Sequence, residues 1–409
     1  MRGGRWVIAI LAMVCAASAW AQSTKAVNEA GASALKNYLA RYEKTFPKIA
    51  APPTLEQYAG VEKFDRLALG PGLEKRLAHL DNTSASLAWG DSYRMMALNE
   101  MYRVTGDTKY LDVMRRYARG VIDARDDKRG RKLWTGEEST VWSCTKYYRG
   151  KRTAYGVHTG IIVFPILDFL GLVKQNPAYK TKMGAEFDEI LKAMQESLDF
   201  HDRQWRDGPA PGEGSYVYRD QDPANDGKPA PINRLSAMGT AYWYSWKVGG
   251  NADHRDKALK IGRYFKNRLS LYPDGAYYWP YRLSDKPLTR TLTVAEMKGG
   301  EDISHASLSI ALPIALCRDG QVFDKADMRR FAATLTQGFG RMGDGIFFSN
   351  LATPGNAPSY ARETNLWLPL SADDPLVYEK VGAFFLTRNP KPDDLDIAML
   401  LRYNPAKNE

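Results

Sequence analysis

His158 and His305 each open a strongly apolar run, inside a cluster of polar and aromatic residues. An imidazole so placed can take or give a proton near neutral pH. Tyr360 and Arg362 stand two apart, so the guanidinium could ease ionisation of the phenol. Asn233, Arg234 and Glu301 are candidates for holding a carboxylate, and Asp91, Tyr155 and Trp89 lie in the equivalent clusters of two other runs. Tyr216 and Tyr218 are reserve candidates for a base. Removing the proton beside a uronate carboxylate requires that the carboxylate charge be neutralised. It also requires a Tyr or His base, and a Tyr or His acid for the leaving oxygen. These residue types point to β-elimination on a uronic-acid-containing polysaccharide, with His158, His305, Tyr360 and Arg362 nearest the reacting sugar.

Such groups meet only if a scaffold brings them to one end. The clusters at 89–91, 155–159, 233–234, 301–305 and 360–365 all precede apolar helical runs. Helices are predicted over 84–104, 159–173, 233–248 and 304–316. Each is followed, after a turn or a longer connection, by an amphipathic partner: 109–123, 187–201, 254–269 and 325–338. Gly106 suits the left-handed end of the first helix, and Asp107 or Thr108 suits the cap of the next. A last, shortened pair is read over 365–370 and 376–386. A buried helix with an amphipathic partner needs neighbours on which to close, and stacked hairpins supply them. The expected fold is therefore all-α: an incomplete toroid of helical hairpins, with short strands or long loops at the cleft mouth near Tyr216, Tyr277 and Phe347.

Two stretches carry a resemblance. Trp89-Gly90-Asp91-Ser92-Tyr93, then Tyr102 to Asp112 with its Thr-Gly-Asp-x-x-Tyr-Leu turn, resembles the six-hairpin enzymes that act on carbohydrates. Glu301-Asp302-Ile303-Ser304-His305 is similar to the Asp-x-Ser-His segments of α/α-toroid polysaccharide lyases. The resemblance implies a toroid and a carbohydrate substrate. In the unsaturated-uronide hydrolases that the first motif resembles, the aspartate after the tryptophan, here Asp91, takes part in the site. Gly90 stands where that family often has alanine. A six-hairpin glycoside hydrolase is the main alternative to the lyase. It would need two carboxylates about 5 to 9.5 Å apart, drawn from Asp91, Glu137, Glu138, Glu301 and Asp302. A uronate C5-epimerase would share the lyase's proton abstraction. A noncatalytic glycan-binding protein would use Trp142, Tyr216, Trp279 and Trp367 as platforms.

Composition sets the setting. Arg2 and Arg5, the apolar stretch from Trp6 to Ala17 and the small-residue site Ala19-Trp20-Ala21 read as an export signal cleaved after Ala21. Residues 22–409 then form one catalytic domain, periplasmic or secreted. No later stretch is apolar enough for stable membrane insertion. The formal charge of +10 falls to +8 when Arg2 and Arg5 leave. Without a nucleic-acid motif, that balance favours an acidic polysaccharide or oligosaccharide as partner. No cofactor or metal pattern is visible, and Cys144 and Cys317 could pair or stay as thiols.

Overall fold

The computed structural model of the chain describes residues 29–407, apart from 220–224, 287–288, 294–295 and 298–299. The expected signal, 1–21, lies outside the described residues.

Four N-terminal helices precede the hairpins, among them α1 (Glu29–Thr45) and α2 (Val61–Ala68); the other two, Leu55–Tyr58 and Gly72–Ala78, are two turns or fewer. The first hairpin pairs α3 (Ser92–Thr105) with α4 (Lys109–Asp123). Gly106 ends α3 at φ 71°, its N–H returning to the Tyr102 carbonyl at 2.8 Å. The second pairs α5 (Gly156–Lys174) with α6 (Glu186–Asp199), and the third α7 (Ile232–Gly249) with α8 (Ala252–Lys266). Gly250 closes α7 in the left-handed conformation, and Asn251 caps α8 on the His254 N–H. The fourth inner rod is broken at Ile310 into α9 (Ile303–Ser309) and α10 (Ala311–Arg318); its outer partner is α11 (Lys325–Ala333). The fifth inner segment is a 3-10 stretch, Pro358–Ala372, paired with α12 (Leu376–Arg388). Last comes α13 (Asp394–Arg402), started by a reciprocal Asp393–Asp396 cap.

Packing makes these segments a ring. Going round, α3 touches α5, α5 touches α7, α7 touches α9 and α10, α9 touches the 3-10 stretch, and that stretch touches α13. Then α13 returns to α3, tied there by Arg94–Asp394 at 3.4 Å and Arg402–Glu100 at 3.4 Å. The toroid of helical hairpins is thus present. Among the described residues its sixth inner helix has no hairpin partner of its own, and α2 packs on α13. Helix α5 is long and apolar enough to cross a membrane, yet it is buried along most of its length as an inner rod. The ring axis holds an apolar cavity of about 130 Å³ between the inner helices. Two small antiparallel ribbons sit in the connections: β1 (Trp205–Asp207) with β2 (Gly214–Tyr216), and β3 (Ser270–Leu271) with β4 (Tyr277–Tyr278). Cys144 and Cys317 are both free thiols.

Helices α5 and α7 approach closely at Gly160. A Cβ on Gly160 would stand 2.6 Å from the Ala237 carbonyl carbon and 2.7 Å from the Met238 nitrogen. Backbone cannot yield as a side chain can. Gly160→Ala is therefore expected to cost about 1–3 kcal/mol from overpacking, partly offset by about 1 kcal/mol of helix propensity. Gly171→Ala on the same helix meets only Val248 at 3.8 Å. Thermal melts should show a lower midpoint for the first variant and none lower for the second.

Candidate functional site

The N-terminal turns of five inner segments open into one pocket of about 380 Å³. Its walls include Trp89 and Tyr93 from the start of α3, and Tyr155, Val157 and His158 from α5. Asn233 and Arg234 come from α7, Ser304 and His305 from α9, and Tyr360 and Glu363 from the 3-10 stretch, with Lys146 and Tyr147 from a loop. The positive ends of the helix dipoles converge there, which favours anionic or oxygen-rich ligands. Trp89 reaches the pocket from a wide π-type turn at Leu87–Asp91, behind Ala85 at φ 66°. A non-glycine residue in that region is held at a cost.

His158 is buried and pushed down to about 3 by desolvation, with Arg234 and Lys146 adding to it. It is a neutral imidazole among the rings of Trp89, Tyr147 and Tyr155, so it is no cationic acid at neutral pH. Its tautomer follows from Asn82. That amide donates to the Trp142 carbonyl at 2.6 Å and accepts the Ala88 N–H at 3.1 Å, which fixes its orientation. The same NH₂ group faces His158 Nδ1 at 3.1 Å. Nδ1 must then accept, and Nε2 carries the proton. Asn82→Asp presents only acceptors, so it should move the proton to Nδ1. Imidazole ¹⁵N NMR should show the Nε2–H form in the parent and the Nδ1–H form, or imidazolium, in the variant.

His305 is held differently. Asp302 caps α9, accepting the N–H groups of Ser304 and His305 at 3.1 Å each and the Ser304 hydroxyl at 2.6 Å. Its other oxygen takes His305 Nδ1. Burial alone would raise the Asp302 carboxyl; His305, Ser304 and the backbone outweigh it and hold the group below the usual range. His305 Nε2 has no hydrogen-bond partner among the described residues, and the ring packs 5.0 Å from Tyr281.

Glu363 was not among the expected site residues. It lines the pocket, and its carboxyl is pushed up to about 7, first by desolvation and then by Asp393, against a lowering by Arg362. Lys146 and Arg234 also line the pocket, and no carboxylate pairs with either among the described residues. Two buried polar atoms in the wall, Trp89 Nε1 and Asn233 Oδ1, lack partners among the described residues. Unpaired groups of this kind are costly unless something else meets them.

Other expected residues lie elsewhere. Arg362 is exposed and points over the Phe46 ring at 5.7 Å, away from the pocket that Tyr360 lines. Tyr216 is bonded to the Tyr242 hydroxyl in the core, and burial raises its phenol well above the ordinary value. Tyr218 is buried beneath Arg234 and raised by desolvation. Tyr155 lines the pocket but is pushed up to about 12, chiefly by burial. Asp91 is buried behind the wall, 3.8 Å from Arg94, and raised by desolvation. Glu301 is fully buried behind α9, where its Oε2 accepts Trp279 Nε1 and the Ser309 hydroxyl. Its carboxyl is pushed up to about 8 by desolvation. Trp142, Trp279 and Trp367 are buried too and cannot be glycan platforms.

A carboxyl raised in the folded state stabilises most below its unfolded value, and the contribution is lost as pH rises through the folded one. Glu301 therefore weakens the fold as pH climbs from about 4.5 to about 8. Glu301→Gln should flatten the dependence of the melting temperature on pH across that window.

No family model matches the chain, and no curated protein does. Solved structures are similar in fold. The α-1,6-mannanase of Salegentibacter sp. HEL1_6, in an inactive variant with α-1,6-mannotriose, shares 11% identity at a TM-score of 0.48, covering 83% of this chain and 98% of that one. An unsaturated glucuronyl hydrolase specific for heparin shares 12% at 0.49, covering 87% and 99%. One from Bacillus sp. GL1, responsible for glycosaminoglycan degradation, shares 15% at 0.44, covering 75% and 73%. These are hydrolases, which corrects the expected likeness to lyases and the reading as a carbon–oxygen lyase. The geometry also removes groups that the lyase reading used: Arg362 is turned away, and the reserve tyrosine bases are buried with raised phenols.

Proposed function

We propose that this chain is an exported glycoside hydrolase acting on a uronate-bearing saccharide at the mouth of the ring. The carrying observation is Glu363, a carboxyl in the pocket wall held at about 7. Such a group is still about half protonated at pH 7, where an ordinary carboxyl has lost nearly all its protons, so it can act as the acid for a glycosidic oxygen. Glu363 gives its proton to the leaving oxygen as the bond from the anomeric carbon breaks. Water attacks that carbon and passes its proton to Nε2 of His305, oriented by Asp302. The His158 Nε2–H and Asn233 hold sugar hydroxyls. Lys146 and Arg234 take the carboxylate; their lack of acidic partners among the described residues favours a uronide over a neutral mannan.

The test is to incubate the mature chain with a panel of acidic oligosaccharides, saturated and unsaturated. New reducing ends without new ultraviolet absorbance are expected; on an unsaturated uronide, the absorbance should fall. A rise from a new conjugated double bond would overturn hydrolysis.

A further inference from the structure

Residues 144–153 form a hairpin beside the pocket. Its base is closed by Cys144 and Thr153, which exchange backbone hydrogen bonds at 3.0 and 2.9 Å. Its tip is a tight turn in which the Lys151 N–H returns to the Tyr148 carbonyl at 2.7 Å, with Arg149 at φ 46° and Gly150 at φ 73°. Two successive left-handed residues are the hairpin turn that matches strand twist, but an arginine there is held at a cost. The Trp134 N–H bonds the Arg152 carbonyl at 2.9 Å, so a second loop is laced to the finger.

The surface of this finger is unusual in charge and in ring exposure. Tyr147 is 50% exposed and Trp134 39%, among the few large apolar side chains so open to solvent. Lys151 sits 4.3 Å above the Trp134 ring and Lys146 5.4 Å from the Tyr147 ring. Nearby cations are neutralised: Arg129 and Arg131 by Asp81, Lys132 by Glu138, and Arg152 by Asp126. Lys146, Arg149 and Lys151 have no carboxylate partner among the described residues and are exposed. The strip is continuous with the pocket, since Lys146 and Tyr147 line both. Exposed rings offer sugar faces a platform, and unpaired cations offer carboxylates or sulfates a counter-charge.

We infer that Trp134, Tyr147, Arg149 and Lys151 form an outer subsite that binds the continuation of an acidic polysaccharide chain outside the pocket. This deepens the hydrolase reading, by naming a polyanionic chain longer than the pocket holds, but binding can be read without turnover. The experiment is affinity electrophoresis of the full mature chain in gels containing alginate, heparin or neutral mannan. Parent protein should be retarded by an acidic polymer and not by mannan. Trp134→Ala and Lys151→Glu should each weaken that retardation several-fold. Lys36→Glu, the same charge change on α1, should leave it nearly intact. Equal loss with Lys36→Glu would reduce the effect to net charge and overturn the subsite, as would full retention in both finger variants or no retardation of the parent. Retardation without any hydrolysis would leave the subsite standing and remove the hydrolase.

Discussion

Glu363→Gln is expected to lower kcat/KM by about 100- to 10,000-fold, the span a positioned acid supplies, while the protein still melts as a folded domain. The amide fills the same volume at the pocket wall but has no proton to give. The parent profile should fall above about pH 7, because only protonated Glu363 works and its value is about 7. The neighbours set where the fall begins. Asp393 raises the Glu363 carboxyl, so Asp393→Asn, still a competent helix cap, should move the alkaline limb to lower pH. Arg362 lowers it, so Arg362→Gln should move the limb to higher pH. Burial is the larger cause, and both displacements should be smaller than the whole shift. Steady-state kinetics across pH decides the matter. An unchanged alkaline limb in Glu363→Gln with activity retained would remove Glu363 from the reaction.

Much of the ring was legible because its signals are local. Apolar runs beginning with polar clusters gave α5 and α7 close to their observed bounds; the 84–104 run covers the π-type turn as well as α3, the 304–316 run covers α9 and α10 together, and the Gly106 stop is where the sequence places it. Helix α13 was missed. It is short, and its start is marked only by the Asp393-x-x-Asp396 cap, a signal present in the sequence but easily taken for a polar tail. Within the site, the cluster positions were readable and the side-chain directions were not. The 360–365 cluster turns Tyr360 and Glu363 inward and Arg362 outward because a 3-10 stretch brings residues three apart onto one edge. Read as a loop, the same residues gave no reason to prefer Glu363. His201 and His254 are buried for a similar reason, though each lies in a polar stretch of the sequence: their partners, Thr159 at 2.8 Å and Asp199 at 2.7 Å, come from other elements. Tertiary partners of this kind leave no trace in spacing.

Glu213→Ala is the substitution expected to damage the fold most, by about 3–5 kcal/mol, the cost of leaving one member of a buried ion pair alone. Glu213 and Arg268 are 1% and 3% exposed. The carboxylate meets the two terminal nitrogens of Arg268 at 3.0 Å each, and also accepts Asn267 Nδ2 at 2.7 Å. The guanidinium's remaining donors go to the carbonyls of Ser284, Tyr264 and Asp285 at 2.7, 2.7 and 2.9 Å. All five N–H groups of Arg268 are therefore used, and removing Glu213 strands a charge that cannot be neutralised by losing a proton. Glu213→Gln keeps the shape and one acceptor but no counter-charge, so it should lose part of the same stability. Arg268→Lys has three donors for five acceptor contacts and should also fail. The consequence reaches the pocket. Glu213 directly precedes β2, whose exit leads to Tyr218, and Tyr218 supports the Arg234 guanidinium at 5.2 Å. Urea titration should show the midpoint falling for all three variants, with Glu213→Ala lowest. Under conditions where Glu213→Gln remains folded, KM for an acidic saccharide should rise more than kcat falls, because Arg234 loses its support while Glu363 and His305 stay on other inner segments. A parent-like urea midpoint in Glu213→Ala would show that water reaches this pair and that its burial stores no such energy.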